Sequence, residues 1–165
     1  MRFRFRAKTG KEWKLKVSDR RIARIVRSCQ ELPGQHLFQY EDDNREVRAV
    51  SSADVNAYLR EISGIDVTAK DFRTWAGTVM ASIALNQIEP FTSDRIAKRN
   101  VKAAVAVVAE QLGNTAAICR KCYVHPKVID TYMDGTLAKL LKRRSRKKLP
   151  QLRTEEKAAL TLLAA

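Results

Sequence analysis

Residues 93–113 read SDRIAKRNVKAAVAVVAEQLG, and this stretch decides the fold. Its apolar positions Ile96, Val101, Val105, Val108 and Leu112 recur every three to five residues. That spacing keeps them on one side of a helix with 3.6 residues per turn, and Gly113 is placed to end it. A helix with one long apolar face must be covered by other helices, so the expected fold class is α+β, predominantly α-helical with a small antiparallel sheet.

Downstream, a loop starts at Asn114, and Asn114 or Thr115 can cap a short helix running through Ile118 and Arg120. His125-Pro126 interrupts it, and helical spacing resumes from Val128 to Met133. Residues 142–148, KRRSRKK, form a basic run that reads either as an arm tracking a polyanion or as a solvated linker before a last helix over 154–163.

Upstream, Thr68 and Asp71 stand at capping-box spacing and open a helix with Phe72, Trp75, Ala76, Val79 and Ile83 expected inward and Lys70 and Arg73 near its first turn. Ser51 and Asp54 repeat the device before a helix expected to bury Val55, Leu59 and Ile62. Leu37, Phe38 and Tyr40 suggest a short strand, followed by the acidic turn at 41–44. Ile22, Ile25, Val26 and Cys29 mark one more amphipathic helix, stopped before Pro33-Gly34. Before it, Arg and Phe alternate over residues 2–6, and Trp13, Leu15 and Val17 resume the alternation after a turn, which is a β-hairpin. The whole reads as one domain over 1–165: a hairpin at 2–17, a helical core at 18–135, and a basic segment with a C-terminal helix at 139–165. There is no internal repeat.

The chain has 165 residues, 45% hydrophobic and 30% charged, enough for a buried core and too little bias for disorder. No apolar run approaches the roughly 20 residues of a membrane span, and the start lacks a signal-peptide pattern, so an intracellular protein is expected. Three cysteines, Cys29, Cys119 and Cys122, are expected as free thiols. Cys119 and Cys122 form a lone CxxC with no second pair, and His36 and His125 lie far from any partner box, so no metal site is assigned. Lys plus Arg number 32 against 18 acidic residues, a formal charge of +14. The basic residues are spread through every segment, which favours nucleic acid over a membrane surface. Charge alone leaves a DNA enzyme and a structural nucleoid or ribosome protein equally open.

Three segments, in order, carry a resemblance. Ala7-Lys8-Thr9-Gly10-Lys11 in the hairpin, Lys70-Asp-Phe-Arg73-Thr-Trp opening a helix, and Leu112-Gly-Asn114-Thr followed by Arg120-Lys121-Cys122-Tyr123 resemble the catalytic boxes of type IB DNA topoisomerases. Glu31-Leu-Pro-Gly-Gln and Ser52-Ala-Asp-Val-Asn-Ala-Tyr-Leu-Arg are similar to the bacterial and poxvirus-type branch. The likeness runs to about residue 135. It implies the catalytic-core fold shared with tyrosine recombinases, and double-stranded DNA as partner. Neither cofactor, metal nor obligate small-molecule substrate is implied, and a monomer in the cytoplasm, associated with the nucleoid, is expected.

The resemblance also implies roles. Tyr123 matches the nucleophile that forms a covalent link to a DNA 3′ phosphate. A phenol is only about a thousandth ionised at pH 7, so Arg73, Arg120 and Lys121 would stabilise the phenolate. Arg73 matches a guanidinium that forks onto phosphate oxygens, and Asn114 stands where many relatives place a histidine donor. Lys8 matches the general acid that protonates the leaving 5′ oxygen. Lys11, Lys70, Arg120 and Lys121 are the expected DNA-contacting cations, and His125, close behind Tyr123, is a further candidate for a phosphate contact.

Two departures stand out. The family carries another catalytic Arg on a helix before the hairpin, but only Arg2, Arg4 and Arg6 precede Lys8, and these lie in the hairpin strand. The amino-terminal clamping domain has no counterpart either, so the expectation is a piece of a longer enzyme or a degenerate standalone protein. Losing one preorganised donor costs about 10² to 10³ in rate, which leaves slow cleavage open but not efficient relaxation of supercoils. Two alternatives remain: a tyrosine recombinase, whose usual HxLRH pattern differs from Lys70-Asp-Phe-Arg73, and a noncatalytic DNA-binding fragment.

Overall fold

The computed structural model describes residues 1–6, 10, 12–143 and 149–165. Lys8 and Lys11 lie outside the described residues, as do residues 144–148 of the basic run. The described chain is mostly helical with two small antiparallel sheets, an α+β fold. The chain divides after Ile65 into two compact units, 1–65 and 66–165.

The first unit opens with the hairpin β1 (Arg2–Arg6) and β2 (Glu12–Lys16), in the register Arg2↔Lys16, Phe3↔Leu15, Arg4↔Lys14, Phe5↔Trp13, Arg6↔Glu12. Alternation puts Phe3, Phe5, Trp13 and Leu15 on one face and the charged residues on the other. Helix α1 (Arg20–Glu31) is capped by Asp19, whose carboxylate accepts the N–H groups of Arg21 (2.7 Å) and Ile22 (3.0 Å); Val26 is the helix's one buried residue. Strands β3 (Gln39–Glu41) and β4 (Val47–Ala49) pair antiparallel across a turn in which Asp42 accepts the N–H groups of Asn44 and Glu46. Helix α2 (Ser52–Ser63) has the expected Ser51–Asp54 capping box and ends at Gly64 in the left-handed region.

The apolar stripe of α2 is not covered as expected. The helix buries no residue, Val55 and Ile62 are 40% and 60% exposed, and Leu59 is half-buried. Two two-stranded sheets and an arginine-rich helix offer this unit too little apolar surface to pack against it.

The second unit is a helical assembly: α3 (Ala69–Asn86), α4 (Asp94–Leu112), α5 (Ala116–Cys122), α6 (Pro126–Met133), α7 (Leu137–Leu141) and α8 (Thr154–Ala164). Helix α4 is its axis, burying Ala97, Val101, Ala104, Val105, Val108 and Ala109 against Leu85, Cys119, Val128, Leu137 and Leu162. Helix α3 is rotated from the expected face. It buries Gly77, Thr78, Ala81, Ser82 and Leu85 along with Val79, while Phe72 is 57% exposed and Trp75, Ala76 and Ile83 are half-buried. Small residues at 77, 78, 81 and 82 let the α3 backbone approach its neighbours closely, which a row of bulky side chains would prevent.

Asp71 fastens the start of α3, accepting the backbone N–H of Thr68 at 2.9 Å and its hydroxyl at 2.7 Å. These bonds, the hydroxyl's first, hold the Asp71 carboxyl below its ordinary value of 3.8. A depressed folded-state value means that the contribution is present above the ordinary value and is lost as pH falls below it, through the folded one. The stability difference between the protein and Asp71→Asn is therefore expected to shrink as denaturation is followed downward from pH 3.8; a constant difference would refute it.

Candidate active site

The last carbonyls of any α-helix lack intrahelical partners. At the end of α4, Gly113 turns the chain with φ 68° and ψ 38°, and its N–H and that of Asn114 return to carbonyls one turn back. The Leu112 carbonyl is left facing outward, and two side chains converge on it. Arg73, one turn into α3, donates from Nη2 at 2.7 Å, and the Asn114 amide donates from Nδ2 at 3.1 Å. A fixed cation at a helix C-terminus is also favoured by the helix dipole.

Tyr123 reaches the same place from the other side. Thr115 caps α5 by accepting the Ile118 N–H at 3.3 Å, and the helix ends at Cys122. Tyr123 is its C-cap residue rather than part of the helix body, with φ −126° and ψ −5° and its N–H bonded to Cys119 O at 2.9 Å. The Arg73 guanidinium carbon lies 5.0 Å from the centre of the half-buried Tyr123 ring, within cation–π range.

Helix α3 also grips the chain on both sides of Tyr123. Thr74 Oγ, which lies 3.1 Å from Lys70 O, donates to the Cys122 carbonyl at 3.2 Å. Thr78 Oγ accepts the His125 N–H at 3.1 Å. Between them, Gly77 lies directly against the Tyr123 carbonyl oxygen, which any Cβ at that position would strike. Residues 74, 77 and 78 share one face of a helix, so the helix that carries Arg73 also holds the backbone of Tyr123. The His125 ring is engaged locally: its Nδ1 accepts the Lys127 N–H at 3.2 Å and caps α6.

Of the residues singled out by sequence, the structure brings Arg73, Asn114 and Tyr123 together. Lys70 is exposed at the second position of α3, and Lys121 is exposed on α5. Arg120 is turned elsewhere, lining a surface hollow with Lys98, Ile129 and Asp130 in which neither Arg73 nor Tyr123 takes part. Cys119 is buried beneath the site; burial pushes its thiol up, the Arg73 charge opposes this, and Cys122 adds to it. Among the described residues, no three His, Cys, Asp or Glu side chains gather as a metal site would require, and no helix is long and apolar enough to cross a membrane.

Sequence reasoning missed Thr74, Gly77, Thr78 and the Leu112 carbonyl. One signal was available, since glycine inside a helix is unfavourable by about 1 kcal/mol relative to alanine and marks a close approach.

The chain is similar to known proteins over most of its length. A family profile described as "Eukaryotic DNA topoisomerase I, catalytic core" matches residues 1–150. The DNA topoisomerase 1B of Acanthamoeba polyphaga mimivirus is 27% identical over an alignment 138 residues long that covers 79% of this chain and 41% of the relative. The chain thus spans about two fifths of the length of the relative it matches.

Proposed function

The chain belongs to the DNA topoisomerase I catalytic-core family, and on that premise we propose that it carries the type IB cleavage and religation chemistry, with Tyr123 as nucleophile toward duplex DNA. The observation that carries this reading is the convergence of the Arg73 guanidinium and the Asn114 amide on one carbonyl, with the guanidinium set over the Tyr123 ring.

A phosphodiester repels nucleophiles, and its transition state spreads charge onto the nonbridging oxygens, so fixed donors lower the barrier. Arg73 spends one N–H on Leu112 O, which orients the guanidinium, and a guanidinium has further N–H groups to meet a phosphate. Asn114 has a second amide hydrogen for the same purpose and no proton that titrates near neutrality.

As the bond from the Tyr123 oxygen to phosphorus forms, the phenolic proton passes to solvent water, the bond from phosphorus to the 5′ oxygen breaks, and the electron pair leaves on that oxygen. Lys8, by the family's pattern, gives the leaving oxygen its proton. The 3′-phosphotyrosyl bond conserves the energy of the bond it replaced, so the strand can swivel and be resealed by the reverse reaction, relaxing supercoils without ATP or a metal ion. Arg73, Asn114 and Tyr123 come from one chain, so a monomer supplies these three groups.

The test uses a labelled duplex nicked near the cleavage position so that the released fragment cannot return. A covalent adduct on a denaturing gel, traced by peptide mass spectrometry to Tyr123, is the expected result. An adduct on another residue, or duplex binding with no adduct at all, would overturn the proposal.

A further inference from the structure

We propose that Cys119 and Cys122 form a dithiol that peroxide oxidises to a disulfide, and that closing this bond unseats Tyr123, a switch that rests on the reading of Tyr123 as nucleophile. Both thiols are free, and no other cysteine lies in 66–165. They stand three residues apart in α5, which puts them on one side of the helix. Cys119 is completely buried, whereas Cys122 is half-buried and immediately precedes Tyr123. Burial pushes the Cys119 thiol up; the Arg73 charge pulls it back and Cys122 adds to the rise, so both groups lie within electrostatic reach of it.

The helix holds the pair close, yet short of bonding distance. Its rise and radius set Cα atoms three residues apart at about 5 Å, inside the range of about 4.4–6.8 Å that a disulfide accepts. The Cβ atoms, about 5–6 Å apart on such a helix, must come to about 3.8 Å. Joining the sulfurs therefore shortens the gap by about 1–2 Å, and the last turn of α5 has to deform.

That turn is the mount of Tyr123. Cys119 O accepts the N–H of Tyr123 at 2.9 Å and that of Val124 at 3.0 Å, and Cys122 O accepts the Thr74 hydroxyl at 3.2 Å. Gly77 lies against the Tyr123 carbonyl with no space for even a methyl group between them. Cys122 cannot close on Cys119 while all of these contacts hold, so the disulfide and the seated Tyr123 exclude each other. A linkage forced into such geometry is strained, which makes it readily reduced.

Cys122 is the sulfur that solvent reaches. Its thiolate attacks one oxygen of hydrogen peroxide, the O–O bond breaks, and the departing hydroxide takes up the thiol's proton as water, leaving a sulfenic acid. The Cys119 sulfur gives its proton to solvent, attacks the Cys122 sulfur and expels the oxygen, which is protonated and leaves as a second water. Two thiols and one peroxide thus become one disulfide and two waters.

In the experiment the whole chain is treated with hydrogen peroxide, catalase removes the excess, and part of the sample is then reduced with dithiothreitol. Trypsin cuts after Arg120 and Lys121, so the Cys119 and Cys122 peptides stay together only through a disulfide, which mass spectrometry reads. Single-turnover adduct formation on the nicked duplex is measured alongside, for the parent and for Cys29→Ser, Cys119→Ala and Cys122→Ser, each against its own untreated rate. A misplacement of about 1 Å can cost about 10² in rate, so the oxidised parent and Cys29→Ser should form adduct about 10²-fold more slowly and recover on reduction. Cys119→Ala and Cys122→Ser should show neither the linked peptides nor the reversible slowing.

Peroxide treatment that yields no linked peptides, or linked peptides without slowing, overturns the switch. Equal reversible slowing in Cys119→Ala traces the effect to oxidation of Cys122 alone and also overturns it. In each of these cases, adduct formed by the untreated parent leaves the Tyr123 chemistry standing. An untreated parent that forms no adduct overturns both readings.

Discussion

Tyr123→Phe is expected to abolish the covalent protein–DNA adduct while leaving fold and duplex affinity as they were. Phenylalanine keeps what the structure uses at this position. The ring remains under the Arg73 guanidinium, the backbone N–H still meets Cys119 O, and the carbonyl still sits against Gly77. Only the hydroxyl is lost, and no described group hydrogen-bonds to it. A change of this kind, away from any buried polar partner, shifts stability by no more than about 0.5 kcal/mol. Denaturation and duplex binding serve as controls, and the nicked-duplex gel is the readout. An adduct that persists in the variant would show that another residue attacks, and the assignment of Tyr123 would fail.

Arg73→Ala is expected to slow single-turnover cleavage by about 10² to 10³, a barrier increase of about 2.7–4 kcal/mol, with a smaller change in duplex affinity. Arg73→Lys should recover only a minor part. A lysine ammonium is a point charge on a flexible stem, and no single position lets it grip Leu112 O as a fork does and face a phosphate in the same plane. The split between rate and affinity is what matters: a residue serving only as diffuse positive charge would be fully rescued by lysine. Full rescue would sink the claim that Arg73 acts through oriented donors.

How much of this was legible in the sequence depended on whether the signal was local. The apolar spacing of α4, the caps at Ser51–Asp54 and Thr68–Asp71, and the alternation of the β1/β2 hairpin are all set by residues within a turn or two of one another, and each appears where the spacing puts it. Motif order also picked out Arg73, Asn114 and Tyr123, which the fold brings together.

The rest was hidden for two physical reasons. Hydrophobicity assigned Phe72 to the inside of α3 and a buried stripe to α2, but burial is decided by what surface the neighbouring elements offer, and those neighbours are distant in sequence. The grip on Tyr123 was hidden because Thr74, Gly77 and Thr78 meet main-chain atoms of residues 122, 123 and 125. Backbone carbonyls and N–H groups are present at nearly every position, so no side-chain pattern announces which of them will be used.

Gly77 carries no charge, donates no hydrogen bond from a side chain and takes no part in bond making, yet a single methyl there would meet the Tyr123 carbonyl. In a library randomised along α3 and screened for the covalent adduct with a nicked duplex, glycine at 77 should be recovered about as strictly as tyrosine at 123. Mutational intolerance in this stretch would then overstate the number of groups that perform chemistry, because one of the least replaceable positions contributes only the absence of an atom.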